Sequence, residues 1–144
     1  MVGRCWLEMS GQPVISSQVE GPLVSVVIPM FQSAEWIETT LATVEAQTYP
    51  LVETIVVDDG STDQGPEFVA EFASRCGRPV RLIRKTNRGV AAARNTGITE
   101  SDGDFVALLD ADDLWEPQKL ELQVARLGAS GAPMCTCGCL LYTS

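Results

Sequence analysis

Residues Phe105 to Pro117 read "FVALLDADDLWEP", an apolar run that breaks into three acids within four positions, Asp110, Asp112 and Asp113, before Trp115 and a proline close it. Like charges crowded at the mouth of a buried strand are unfavourable unless water screens them or a cation holds them together. Acids placed where a strand leaves the core can share a divalent cation while the strand stays buried. Hard oxygen ligands favour Mg²⁺ or Mn²⁺ over zinc. The same residues also fit a solvated, turn-forming acidic loop.

The run is one of four. "LVSVVIP", from Leu23 to Pro29, is a short β-rich apolar segment ended by proline, and Ser33 is placed to cap a helix carrying Ile37, Leu41 and Val44 at i, i+4 and i+7. "VETIVVDDGSTD" repeats the pattern, a strand over about 52–57 that spills into acids. The helix after it sets Phe68, Phe72 and Cys76 on one side, with Val69 and Ala73 beside them. "VRLIRK" is a third strand, "GVAAARNTGI" a short alanine-rich helix, and "PQKLELQVARL" a helix with proline in its first turn. Strand and helix alternating through short connections predict a parallel sheet with right-handed crossovers, an α/β sandwich. Ligands of such sheets bind beyond the carboxyl ends of the strands, so "VVDDGSTD" and "LLDADD" are expected to meet at one rim.

Composition narrows the function. The 144 residues suit one domain, with 45% apolar and 20% charged residues. Ten basic against nineteen acidic residues give a net charge of -9, which argues against nucleic acid or an anionic membrane as main partner. An anionic ligand would need a metal bridge. No window approaches the roughly 20 apolar residues of a membrane span. The expectation is a cytoplasmic chain, free or peripheral to the membrane. Cys5, Cys76, Cys135, Cys137 and Cys139 are read as reduced thiols, because no second Cys pair and no His completes a four-ligand set around "CTCGC".

Two further segments can carry chemistry. In "DDGSTD" a carboxylate could accept the imide N–H of a pyrimidine, or Asp59, Ser61 and Asp63 could simply bond the local backbone and cap the next helix. In "NRGVAAARN" Gly89 marks a helix entry where backbone N–H groups could face a phosphate, with Arg88 and Arg94 nearby. Packing of the small alanines on the sheet is the competing role, and Arg94 could instead pair with acids of the rim.

Taken together, "VSVVIPMFQSAEWIETTLATVEAQTYPLVETIVVDDGSTD" and "NRGVAAARNTGITESDGDFVALLDADDLWEPQKLELQ" closely resemble the family 2 glycosyltransferases of GT-A fold, over about Val24 to Gln123. Residues 1–21 show no clean period and are read as an irregular leader; the resemblance implies a Rossmann-like three-layer α/β/α sandwich over residues 22–144, truncated at its C-terminus. It implies inverting transfer of a hexose-type sugar from a nucleotide-diphosphate donor, often a UDP-sugar, to a saccharide, lipid or polysaccharide, assisted by Mg²⁺ or Mn²⁺. Carried over by position, Pro29 and Phe31 would line the base pocket and Asp59, or failing it Asp58, would hold the base. Asp110 and Asp112 match the family's D-x-D. Asp112 would bind the metal, Asp113 competes for that role, and Asp110 would face the donor's sugar or ribose; Arg94 joins the donor site.

Two departures from the family pattern stand out. The family commonly reads P-x-Y-N after the first strand, and this chain has "PMFQ", so Phe31 lacks a hydroxyl and Gln32 replaces Asn. The family's catalytic base follows the D-x-D by many tens of residues, whereas no Asp or Glu follows Glu121 here, so the base is expected to be absent. Two alternatives remain: a haloacid-dehalogenase-like phosphatase, whose strand-end D-x-D nucleophile "LLDADDL" resembles although only Lys119 follows where that family needs a lysine and further acids, and a non-catalytic nucleotide-binding fragment.

Overall fold

The computed structural model describes residues 20–136. All but the end of the expected leader, together with Cys5, Cys137 and Cys139, lies outside the described residues.

Strand β1 (Val24–Met30) pairs in parallel with β2 (Val52–Asp58), from Val24 opposite Val52 to Met30 opposite Asp58. Every position of both strands is buried, which is why they read as near-continuous apolar runs rather than alternating ones. β3 (Val80–Arg84) adds to β2 and β4 (Phe105–Leu108) adds to β1, giving an all-parallel sheet in the order β3-β2-β1-β4. These outer strands mix partly buried and exposed positions, in strict alternation only along β4.

Helices α1 (Ile37–Glu45), α2 (Gly65–Arg75) and α4 (Lys119–Ser130) cover one face, where Ile37, Leu41, Val44, Val69, Phe72 and Leu120 pack on Val26, Ile28 and Val56. Burial of each such side chain contributes about 1.5–3 kcal/mol. Helix α3 (Val90–Thr99) lies on the other face, with Ala93 against Ile55 and Val57. That placement follows from topology: after β3 the chain reverses to reach the far side of β1, and a right-handed crossover in that direction must use the opposite face. The alanine-rich helix therefore packs as its composition suggested.

Two helix starts differ from expectation. Ser33 gives α1 no side-chain cap; its hydroxyl donates to the Phe31 carbonyl, and the N-cap position is Trp36. The Ala34 N–H donates instead to the Asp63 carboxylate (2.8 Å), a cap supplied from the next loop. Pro117 precedes the Gln118 N-cap of α4 and so lies outside the helix; its carbonyl accepts from the Thr48 N–H (2.8 Å), tying α4 to the end of α1.

At the amino edge of the sheet the buried Ser25 hydroxyl donates to Glu53 (2.5 Å), and the Gly103 and Asp102 N–H groups donate to Ser25 Oγ and Glu53. This network anchors the turn into β4 at the edge opposite the strand-end acids.

Helix α3 approaches the sheet closely at Gly97, where an added Cβ would lie 2.2 Å from a Val27 methyl. Overpacking there costs about 1–3 kcal/mol, of which a gain of about 1 kcal/mol in helix propensity offsets a part. Gly97→Ala is therefore expected to lower the thermal midpoint by several degrees; an unchanged or raised midpoint would show that α3 can lift off β1 freely.

Candidate functional site

The loops after β1, β2 and β4 and the entry to α3 share the carboxyl edge of the sheet. They enclose a cleft with two connected basins. The first, about 310 Å³, is lined by Pro29, Phe31, Asp59, Asn87, Gly89 and Val90. The second, about 490 Å³, is lined by Phe31, Trp36, Val90, Arg94, Asp110 and Asp112. Pro29, Phe31 and Val90 border both, so the end of β1 forms the saddle between them.

Asp58 and Asp59 are adjacent in sequence and separate in role. Asp58, 1% exposed, points back into the fold, where it accepts the Ser61 N–H (2.8 Å) and Arg84 Nε (3.1 Å). It closes the turn and does not line the cleft. Asp59, 3% exposed, lines the first basin, but its oxygens accept the backbone N–H groups of Arg88 (3.0 and 3.1 Å) and Gly89 (2.7 Å), with Lys85 Nζ at 3.8 Å. The Gly89 N–H, one of those that could have faced a phosphate, is thus taken by a carboxylate. Gly60 makes the turn possible: its φ is 84°, and an added Cβ would meet the Asn87 nitrogen at 3.1 Å.

Across the saddle, Arg94 Nη2 donates to Asp110 Oδ1 (2.5 Å), the rim pairing the sequence left open for that arginine. Its Nε is buried and meets no acceptor among the described residues. Asp112 is exposed, lines the second basin and has no side-chain partner among the described residues. Ala111 between them is buried, and its carbonyl accepts from Thr40 Oγ1 (2.8 Å), which anchors the acidic loop to α1. Asp113 is exposed and does not line the cleft; its N–H closes a turn onto the Asp110 carbonyl (3.1 Å). The three acids of the opening stretch thus separate into an ion-paired group, an unpaired group in the cleft and a group outside it.

Among the described residues no three His, Cys, Asp or Glu side chains converge as a ready metal cage. Asp112 with Asp110 beside it still suits a magnesium-like ion, which takes one or two carboxylates and completes its shell with water and substrate phosphates. Cys76 and Cys135 are free thiols, and burial pushes the Cys76 pKa up, keeping that thiol protonated.

Sequence reasoning overlooked Trp36, 51% exposed at the second basin, and Asn87 at the first. It noticed Gln32 only as a departure. The Trp36 signal was available: a large aromatic one position before a periodic apolar helix face has no place in the core. A further groove of about 500 Å³ runs between β4 and α4, lined by Phe105, Ala107, Leu108, Lys119 and Leu120, and holds none of the expected donor-site residues.

Residues 25–143 match the family described as glycosyl transferase family 2. The chain belongs to that family. Its relatives include the putative teichuronic acid biosynthesis glycosyltransferase TuaG of Bacillus subtilis, 38% identical over 103 residues (72% of this chain, 41% of TuaG). Another is the glycosyltransferase AglE of Haloferax volcanii, 39% identical over 115 residues (78% of this chain, 38% of AglE). Among solved structures, S. aureus TarS 1–349 in complex with UDP superposes with a TM-score of 0.70 at 27% identity, covering 76% of this chain and 33% of that one. The mannosyltransferase PcManGT from Pyrobaculum calidifontis, in complex with GDP-Man and Mn²⁺, superposes with a TM-score of 0.68 at 34% identity, covering 80% and 34%. The family 2 chain thus has the GT-A α/β fold, and it spans well under half the length of these relatives.

The phosphatase alternative finds no support in these likenesses. Lys119 lies in the groove beside β4 rather than the cleft, with its Nζ 3.8 Å from the centre of the Trp115 ring and 2.9 Å from Gln123 Oε1. No helix among the described residues is long and apolar enough to cross a membrane.

The contrast between the paired acids gives a stability test. Asp58→Ala orphans the buried Ser61 N–H and is expected to cost about 1–3 kcal/mol in urea unfolding. The pair with Arg84, whose side chain is 56% exposed, adds little. A loss below about 0.5 kcal/mol would show that water replaces the carboxylate in the turn.

Proposed function

We propose that this chain is the donor-binding part of an inverting family 2 glycosyltransferase that takes a UDP-sugar, of hexosyl type, with Mg²⁺ or Mn²⁺. The observation that carries the reading is the convergence of Asp59 from the end of β2 with Asp110 and Asp112 from beyond β4 on the two sides of Phe31, in one cleft. Membership of the family and the nucleotide and nucleotide-sugar complexes of its structural neighbours support it.

In this reading the base enters the first basin against Pro29 and the Phe31 ring, which is 50% exposed and offers a stacking face. Asp59 holds the Arg88–Gly89 turn as the basin's wall and presents its carboxylate edge to the base. Asp58 acts from behind as a structural support. The diphosphate crosses the saddle into the second basin, where Asp112 holds the metal and Asp110, oriented by Arg94, faces the sugar or ribose. A divalent ion bound there would neutralise the diphosphate as it leaves. Asp113 serves the turn. The base that takes the acceptor's proton is assigned to none of the cleft acids, since Asp59 and Asp110 are engaged and Asp112 is the metal ligand. The acceptor is a saccharide, lipid or polysaccharide, and the setting cytoplasmic, free or peripheral to the membrane.

Calorimetric titration of the folded chain with UDP, with and without Mn²⁺, tests this. Binding is expected to depend on Mn²⁺, and Asp112→Ala is expected to weaken it by roughly tenfold or more, since even residues that only support metal ligands cost 10–100-fold. Metal-independent binding, or an unaffected Asp112→Ala variant, would refute the metal assignment. A folded chain that binds neither UDP nor GDP would sink the donor-site reading.

A further inference from the structure

Gln32 is the only non-glycine residue with positive φ among the described residues, at 52°. A left-handed backbone at a residue with a long side chain costs free energy and persists only where surrounding contacts enforce it, often at functional sites. Those contacts all lead to one loop. The Gln32 backbone N–H donates to Ser61 Oγ (3.0 Å) and Nε2 donates to Thr62 Oγ1 (3.0 Å). Oε1 accepts the N–H groups of Thr62 (2.9 Å) and Asp63 (3.2 Å). One side chain therefore supplies the loop after β2 with both an acceptor and a donor, across about thirty residues of sequence.

The position of this clamp matters more than its strength. Gln32 follows Phe31, whose exposed ring borders both basins, and the loop it grips begins at Asp59, the opposite wall of the first basin. Asp59 is tied to β1 from the other side, its N–H donating to the Met30 carbonyl (2.8 Å). The left-handed Gln32 bends the chain just after Phe31, whose exposed ring borders the cleft. Resting on the donor-site reading, we propose that Gln32 is a positioning residue for nucleotide binding. It holds the Phe31 ring at a set height above Asp59 through its left-handed turn and its amide clamp on Thr62 and Asp63; Gln32 also borders the second basin, but its side-chain amide is spent on that clamp. The Gln32 amide oxygen thus reaches two successive backbone N–H groups of the facing loop.

A double-mutant cycle on the full chain separates positioning from general structural support. UDP affinity with Mn²⁺ is measured for wild type, Gln32→Gly, Phe31→Leu and the double variant, together with thermal unfolding of each. Gln32→Gly relieves the backbone strain as it removes the clamp, so it is expected to keep the fold while weakening UDP roughly tenfold, about 1.4 kcal/mol. Phe31→Leu is expected to lose a similar factor, and adding Gln32→Gly to it to lose less than twofold more. Wild-type binding with multiplicative losses in the double variant, or with full affinity in folded Gln32→Gly, would overturn the positioning role and leave the donor site standing. A folded wild-type chain that binds neither UDP nor GDP would overturn both.

Discussion

The constraint on which this structure depends is the complete burial of its two central strands. β1 and β2 each run seven residues without a solvated position, covered by α1 and α2 on one face and α3 on the other. Polar chemistry has little room along such strands. Asp58 and Ser25 enter them only as satisfied groups, each bonded to a neighbour. Reactive groups must gather where strands end, and the parallel direction brings those ends to one edge. The cleft is thus a consequence of covering the sheet, before any ligand enters the argument.

Strand-end loops have few core contacts to hold them, and here they hold one another. Gln32 grips Thr62 and Asp63, Asp63 caps the start of the α1 turn, Asp59 gathers the Arg88 and Gly89 amides, and Thr40 of α1 anchors Ala111 between two acids. Each bond joins segments far apart in sequence. Side chains that look like ligands for a nucleotide are in part ligands for backbone, and this is how a cleft built from loops keeps its shape without a substrate. Asp112 is the contrast, an acid in the cleft with no side-chain partner among the described residues, and so the one whose charge is available to an incoming ion.

The likeness to TarS and PcManGT covers about three quarters of this chain and about a third of theirs. The family match runs over residues 25–143, which take in the whole described sheet.

Fold class and strand order of appearance were legible from the chain, because apolar runs of strand length alternating with helical periodicity admit few arrangements. Ile37, Leu41 and Val44 took the buried face that their spacing announced, and the two acidic strand ends met at one rim. The functions of individual acids were not legible. Asp58 and Asp59 are adjacent acids of one motif, yet one faces inward to a turn and the other lines the cleft. Asp110, Asp112 and Asp113 diverge in the same way. Nor could Gln32 be read as a clamp, since its partners lie about thirty positions away. Periodicity reports which way a chain faces relative to the core, a local property that sequence by itself determines. Which atom a carboxylate meets depends on loops brought together by the whole sheet, and only the tertiary structure decided that.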